Sequence, residues 1–243
     1  MKLQALFILF ILIGCQKPKP VSQTQAHKTI SENKPKAIVN KENLSKTDTV
    51  YDYTTDGATS KENYILANLL DQKMDKDSVV TGKYRLDFYF NKIKTADTEI
   101  TIKGIQKGSE WNVIYGLGKQ SAKGSPFFQI SFGYPACGYT HNNYLYYLKN
   151  SDLQLVHDWY TLSDSGWGSW VEFGNPDESN PESFYCKTVA FGPDDNDENM
   201  GTVTYSDSIV FRRSGNHWKK QLLSAEDKPY FEKKMSFDDF HKE

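Results

Sequence analysis

Apolar and polar positions are arranged in three different ways along this chain. Residues 3–13 are an almost unbroken apolar run, with Gln4 its one polar member, and the run stops at Gly14-Cys15. Residues 16–58 carry scattered aliphatics with no sustained period. From Thr59 the apolar residues recur, first at helical spacing and then, beyond Ser78, at every second position. Alternation of this kind is the signature of strands with one buried face, because successive side chains of a strand point to opposite sides. The chain reads as an apolar leader over residues 1–14, a polar connection over 15–58 and a single β-rich domain over 59–243.

The domain opens with Thr59-Ser60-Lys61-Glu62, a capping-box arrangement in which a Thr side chain accepts from the backbone three residues on while Glu62 reaches back. Tyr64, Ile65, Leu66, Leu69 and Leu70 then form a broad apolar face at helical spacing, and the mixed charge of residues 71–77 ends it. This predicts one N-terminal helix docked by that face on a sheet.

Strands follow. Tyr84, Leu86, Phe88 and Phe90 alternate against Arg85, Asp87, Tyr89 and Asn91, and Ile100 and Ile102 against Thr101 and Lys103. Gln106-Lys107-Gly108-Ser109 reads as a hairpin turn before Trp111, Val113 and Tyr115, since Gly tolerates the positive φ of a tight connection. Phe128, Ile130 and Phe132 make the next run. Residues 144–148 and 153–159, joined through Lys149-Asn150-Ser151-Asp152, make the clearest hairpin. Further strands are predicted at 169–173, 183–191, 202–211 and 217–223, with turns between them and a short closing helix at 225–234. Strands at short spacing without intervening helices predict an all-β, antiparallel β-sandwich or an open, curved barrel carrying the one N-terminal helix.

Composition narrows the classes. The net charge of −2, with no basic block or aromatic-plus-basic stripe, excludes nucleic acid as a partner. Residues 16–58 are rich in Lys, Thr, Ser, Asn and Gln and offer too little apolar surface to offset the entropy of ordering them. They read as a flexible linker with a span of roughly 35 Å, Tyr51 and Tyr53 being the residues that could dock back as an edge strand. Of three cysteines, Cys137 and Cys186 read as a disulfide, the alternative being two buried thiols among Tyr134, Tyr139, Phe184 and Tyr185.

The leader places the protein. One Lys before a short apolar core and a small residue at the cut site is the layout of a secretory signal peptide, and the core is far below the ~20 residues that span a bilayer. Leu12-Ile13-Gly14-Cys15 resembles the lipobox of bacterial lipoproteins, an aliphatic residue, a variable residue, Gly or Ala, then Cys; Ile13 is bulkier than that pattern usually has. The resemblance implies cleavage before Cys15, diacylglyceryl attachment and N-acylation there, as with palmitate, and anchoring in the lipid bilayer through those chains, each buried methylene contributing about 0.8 kcal/mol. Gln16, in place of an Asp after the Cys, implies the outer membrane, facing periplasm or exterior.

Catalytic and metal motifs are sparse. Asp194-Asp195-Asn196-Asp197-Glu198-Asn199 begins like a calcium loop, but Gly201 comes one place late and Ser206 stands where the bidentate Glu belongs. His141, His157 and His217 lie in separate hairpins without zinc spacing. Ser125, Ser165 and Ser169 sit in no nucleophile elbow, and Gly116-Leu117-Gly118-Lys119 lacks phosphate-loop spacing. Glu110, Asp158 and Glu172 are the carboxylates that could pair across strands as a glycosidase requires. No cofactor and no metal is implied. What remains is aromatic: Trp159, Trp167 and Trp170, with Tyr160, flank a Gly-containing loop. Flat rings on a β scaffold can stack on sugars or dock a protein; their commoner role is core packing. These residues predict a non-enzymatic binding domain for a protein or glycan of the envelope, an immunity protein that blocks a toxin being one special case. The alternative is a surface hydrolase of polysaccharide or peptidoglycan.

Overall fold

The computed structural model describes residues 46–53, 59–118, 122, 124–135, 138–174 and 181–242. All belong to one compact unit, Glu42–Glu243. The signal, Cys15 and most of the polar connection lie outside the described residues. In chain order the strands are β1 (Lys46–Tyr53), β2 (Thr59–Met74), β3 (Val80–Phe90), β4 (Ile93–Lys103), β5 (Glu110–Tyr115), β6 (Phe127–Tyr134), β7 (Tyr139–Lys149), β8 (Asp152–Asp164), β9 (Trp167–Gly174), β10 (Ser183–Pro193), β11 (Met200–Ser214), β12 (His217–Leu222) and β13 (Phe231–Ser236). A single helical turn, α1 (Phe237–Phe240), follows. The fold is all-β and every pairing is antiparallel. β1 to β4 form a four-stranded sheet in sequential order; β5 to β12 form a second sheet, also sequential, with β13 added beside β11.

The two sheets pack as a sandwich. Ile65, Ala67, Leu69, Tyr84, Leu86 and Phe88 from the first sheet meet Val113, Tyr115, Phe128, Ile130, Phe132 and Tyr146 from the second. Phe88 lies edge-on to Phe128 at 6.0 Å and Tyr146 at 5.7 Å, and burying a ring of this size contributes about 2–3 kcal/mol. The second sheet has a further face to cover, and it covers that face with itself. β8 and β9 pair only beside their shared turn, through Leu162, Ser163 and Asp164. Beyond it they diverge, and β9 to β12 turn back over the other side of β6 to β8. Phe127, Leu145, Tyr147 and Val156 there bury against Phe184, Cys186, Phe211 and Trp218. The closure is pinned by Gln154 of β8, whose side-chain amide donates to the Trp218 carbonyl at 3.1 Å while its oxygen accepts from the Trp218 N–H at 2.9 Å.

β6 and β7 are thus covered on both faces. Phe127 faces one core and Phe128 the other; Leu145 and Tyr147 face one, Tyr146 and Leu148 the other. A doubly buried strand carries apolar residues at consecutive positions, which accounts for the unbroken Tyr144-Leu145-Tyr146-Tyr147-Leu148.

Four expectations are corrected. Residues 59–74, predicted as a helix, are the long strand β2. Ile65, Ala67 and Leu69 enter the core while Tyr64, Leu66 and Asn68 occupy the other face. On that other face Tyr64 packs with its cross-strand neighbours Tyr51 and Tyr89 beside Leu66, and a register shift between Leu69 and Asp71 inserts Leu70 as an extra apolar residue, so the strand coincides with helical spacing over so short a run. Residues 46–53, read as linker, are the edge strand β1, paired with β2 from Lys46↔Leu69 to Tyr53↔Thr59; the domain therefore begins before Thr59. The turn at 106–109 closes no hairpin: β4 ends the first sheet and β5 begins the second, so this segment carries the chain between layers. The closing helix is not at 225–234 but at α1, where Ser236 caps it by accepting from the Asp239 N–H at 3.1 Å. Ser-x-x-Asp at 236–239 is a capping signature of the kind assigned to Thr59-x-x-Glu62.

Candidate functional site

Trp159, Trp167 and Trp170 do not form one surface. Trp159, on β8, packs inward onto the second core, as Val171, Phe173 and Ile209 do, stacked on His157 at 5.6 Å and edge-on to Phe173 at 5.3 Å. Trp167 and Trp170 lie on the opposite, outer side of β9, in a small cluster with Val189, Phe191, Val203, Met235, Phe237 and Phe240. Two rows of directly paired residues build that outer face. Trp170, Val189, Tyr205 and Phe231 lie in register across β9, β10, β11 and β13, and Glu172 lies opposite Lys187 one row away.

Polar and aromatic groups alternate across this face. The Trp170 indole N–H donates to Glu172 Oε1 at 3.3 Å. Lys187 Nζ stands 3.6 Å from Glu172 and 3.5 Å above the centre of the Tyr205 ring, a cation–π contact. Phe231 stacks on Tyr205 at 4.5 Å. Tyr185, Tyr230 and Phe231 are left exposed, at 58%, 51% and 39%. At the other end α1 folds over the face: Phe240 stacks on Phe191 at 4.1 Å and meets Trp170 at 5.7 Å, and Phe237 leans on Trp167 at 5.0 Å. Gly201 lies directly beneath Trp167 and Phe191, where a Cβ would collide with both rings.

Beside α1 a cleft of about 400 Å³ opens, lined by Ser165, Trp167, Glu198, Asn199, Ser236, Phe237 and Asp238. The β8–β9 turn supplies one end and the acidic loop a side. That loop is held by its own carboxylates: Asp194 Oδ1 accepts from the Asn196 N–H and Asp197 Oδ1 from the Asn199 N–H, each at 3.0 Å. Lys234 Nζ donates to Asp194 at 2.6 Å and holds that carboxyl below the usual range. The hydrogen bond at Ser236, with Lys242 nearby, does the same for Asp239. Trp167 and the acidic loop, separate in the sequence, therefore meet at one cleft.

The remaining candidates are scattered. Glu110 begins β5, Asp158 is exposed on β8 and Glu172 lies on the outer face of β9, so they form no pair. Among the described residues no group of three or more His, Cys, Asp or Glu is disposed to hold a metal ion. His157 is buried, its Nδ1 without a hydrogen-bond partner, and burial pushes its pKa down to about 4. Cys186 is a free, buried thiol, pushed up to about 12 chiefly by burial; Cys137, its expected partner, lies outside the described residues. Missed in the sequence were Asp238, Phe237 and Phe240, whose one signal was the Ser236 cap.

Fold and site together define a layered antiparallel β-domain with a capped aromatic face and an acidic cleft beside it. Searches of family models, of curated proteins and of solved structures find no match to the chain.

Proposed function

We propose that the chain is a lipid-anchored domain of the bacterial envelope, held to the outer-membrane bilayer by acyl chains on Cys15, that binds a protein or glycan partner without turning it over. The observation carrying this reading is the outer face of β9, β10, β11 and β13, where exposed Tyr185, Tyr230 and Phe231 adjoin the Glu172–Lys187 pair. Aromatic rings interleaved with a charged pair on a rigid sheet have the composition of a binding hot spot. The test is a crosslinked pull-down from envelope extract with the full-length protein and with a Tyr185→Ser/Tyr230→Ser variant. Stoichiometric capture of one partner, reduced about tenfold or more in the variant, a loss of ~1.4 kcal/mol, supports the reading. Equal capture by both removes this face from it.

A second reading, a hydrolase of polysaccharide or peptidoglycan, is favoured by Glu198 and Asp238 lining one cleft beside Trp167. Two carboxyls about 5–9.5 Å apart are the requirement of that chemistry. Release of reducing ends by the purified protein, abolished in Glu198→Gln, would displace the binding reading.

A further inference from the structure

We infer that the free edge of β12 is where the domain meets the bilayer, with Arg212, Arg213, Lys219 and Lys220 on the headgroup phosphates of anionic phospholipids and Leu222 and Leu223 in the interface. This rests on the anchoring at Cys15 proposed above and gives the tethered domain an orientation. Residues 208–223 contain these four basic residues and no acidic one. Across the β11–β12 hairpin Arg212 lies opposite Lys219, and Phe211 opposite Lys220. Phe211 is buried in the second core, so Lys220 leaves the strand on its inner side and Lys219 on its outer side. The cations thus border both sides of β12, the last strand in its sheet, and the edge itself carries the charge.

That charge is uncompensated. Arg212 Nη1 donates to Gln221 Oε1 and Arg213 Nε to the Gly215 carbonyl, each at 3.1 Å, and both acceptors are neutral. Asp158, Glu182 and Asp207 border the hairpin, yet among the described residues no carboxylate pairs with any of the four cations. Charges that only deter strand pairing at an edge can be of both signs, as on β4, where Lys94 pairs with Asp97 and Glu99 with Lys83. On β12 they are of one sign, with Leu222 39% and Leu223 59% exposed beside them. Basic and apolar residues side by side are what an anionic membrane surface binds.

The opposite end of β11 is acidic. Asp194, Asp195, Asp197 and Glu198 precede its first residue, and the four cations surround its last, roughly 45 Å of strand away. An anionic surface attracts one end and repels the other, which turns α1 and the cleft away from the lipid. An acidic protein segment would suit the same edge, but the anchor decides for lipid. Residues 16–45 reach at most roughly 110 Å, so the surface never leaves the domain's range, and contacts too weak to hold a free protein suffice.

The test adds the full-length acylated protein, from detergent, to preformed phosphatidylcholine vesicles with or without phosphatidylglycerol. Flotation reads the anchor; brief acetylation, resolved lysine by lysine in the mass spectrometer, reads the contact. The protein floats on both vesicles, and on the anionic ones Lys219 and Lys220 are acetylated about threefold or more slowly while exposed Lys103 on the first sheet is unchanged. Salt toward ~1 M restores their reactivity with the protein still afloat, and Arg212→Gln, at an exposed site, reduces the protection. Flotation on both with equal reactivity, or slowing as large at Lys103, overturns the inference and leaves the anchor standing. Equal protection on neutral vesicles by inorganic phosphate or by a Glu-rich peptide assigns the edge to a soluble anion or an acidic protein, and overturns it too. Flotation on anionic vesicles alone, with both lysines protected, removes the anchor and keeps the contact; flotation on neither overturns both.

Discussion

His157 shows how one side chain ties packing to pH. Its ring lies between Trp159 and Phe211 in the second core, 9% exposed. Burial disfavours the imidazolium, Lys220 adds to the effect and Asp158 opposes it, so the pKa falls from 6.5 to about 4. The unfolded chain therefore binds the proton first as pH drops. Between pH 6.5 and about 4 the unfolded state holds more protons than the native one, and stability rises with pH across that window. The contribution is fully present above 6.5 and is lost progressively as pH falls toward 4, amounting to about 3 kcal/mol. Urea unfolding of the protein and of His157→Leu at stepped pH checks this: the variant's curve is flatter over the window, and identical slopes would show that His157 contributes nothing. The position was legible in the sequence only as a histidine without a metal motif. Its burial depends on a bulge at Val156, where the register steps from Leu145↔His157 to Tyr146↔Leu155 and turns both Val156 and His157 inward.

The outer face of the first sheet is tied together by polar side chains. Alternation put Arg85, Asp87 and Tyr89 opposite the core, and β3 does place them there. That Asp87 is nonetheless buried, at 4% exposure, follows from its neighbours across the sheet. It accepts from Asn68 Nδ2 at 2.8 Å and from Arg85 Nε at 3.0 Å, and pairs with Lys94 at 2.8 Å; Thr47 donates to Asn68 Oδ1 at 2.9 Å. One carboxylate so ties together β1, β2, β3 and β4. Asp87→Ala leaves an amide and two cations short of an acceptor and is expected to cost about 2 kcal/mol, below the figure for a fully buried pair because Lys94 is 39% exposed. Thermal unfolding of Asp87→Ala, Lys94→Met and the double variant measures the coupling; additive effects would show the network to be incidental. The same sheet contains the largest misreading, β2, where outward Tyr64 and Leu66 and the register shift around Leu70 imitate a helical spacing of apolar residues.

For the whole molecule the deciding feature is the fold of the second sheet onto itself. A strand pattern can say that a residue is buried but not against what, and no periodicity shows that Gln154 would close β8 on Trp218, far along the chain. Gln154→Ala removes both bonds of that closure, with an expected cost of about 1–2 kcal/mol. Because the bonds hold β12 against β8, the loss should be local, so hydrogen exchange accelerates in β12 while amides of the first sheet keep their protection. Uniform acceleration would mean that the layers open as one unit. The same long-range folding creates the cleft: Trp167 from the start of β9, Glu198 from the acidic loop and Asp238 from α1 converge only once β13 has paired with β11.

By itself the sequence determined the class of the fold and most strand positions, because alternation is a local consequence of burying one side of an extended chain. It also determined the two-residue turn at Asn150 and Ser151, whose φ values of 53° and 63° suit a tight hairpin. Tertiary structure alone decided which strands share a sheet, which tryptophans pack inside and which line the outer face, and which carboxylates share a cleft. Those outcomes depend on contacts between segments distant in the chain, for which the local pattern of apolar residues holds no term.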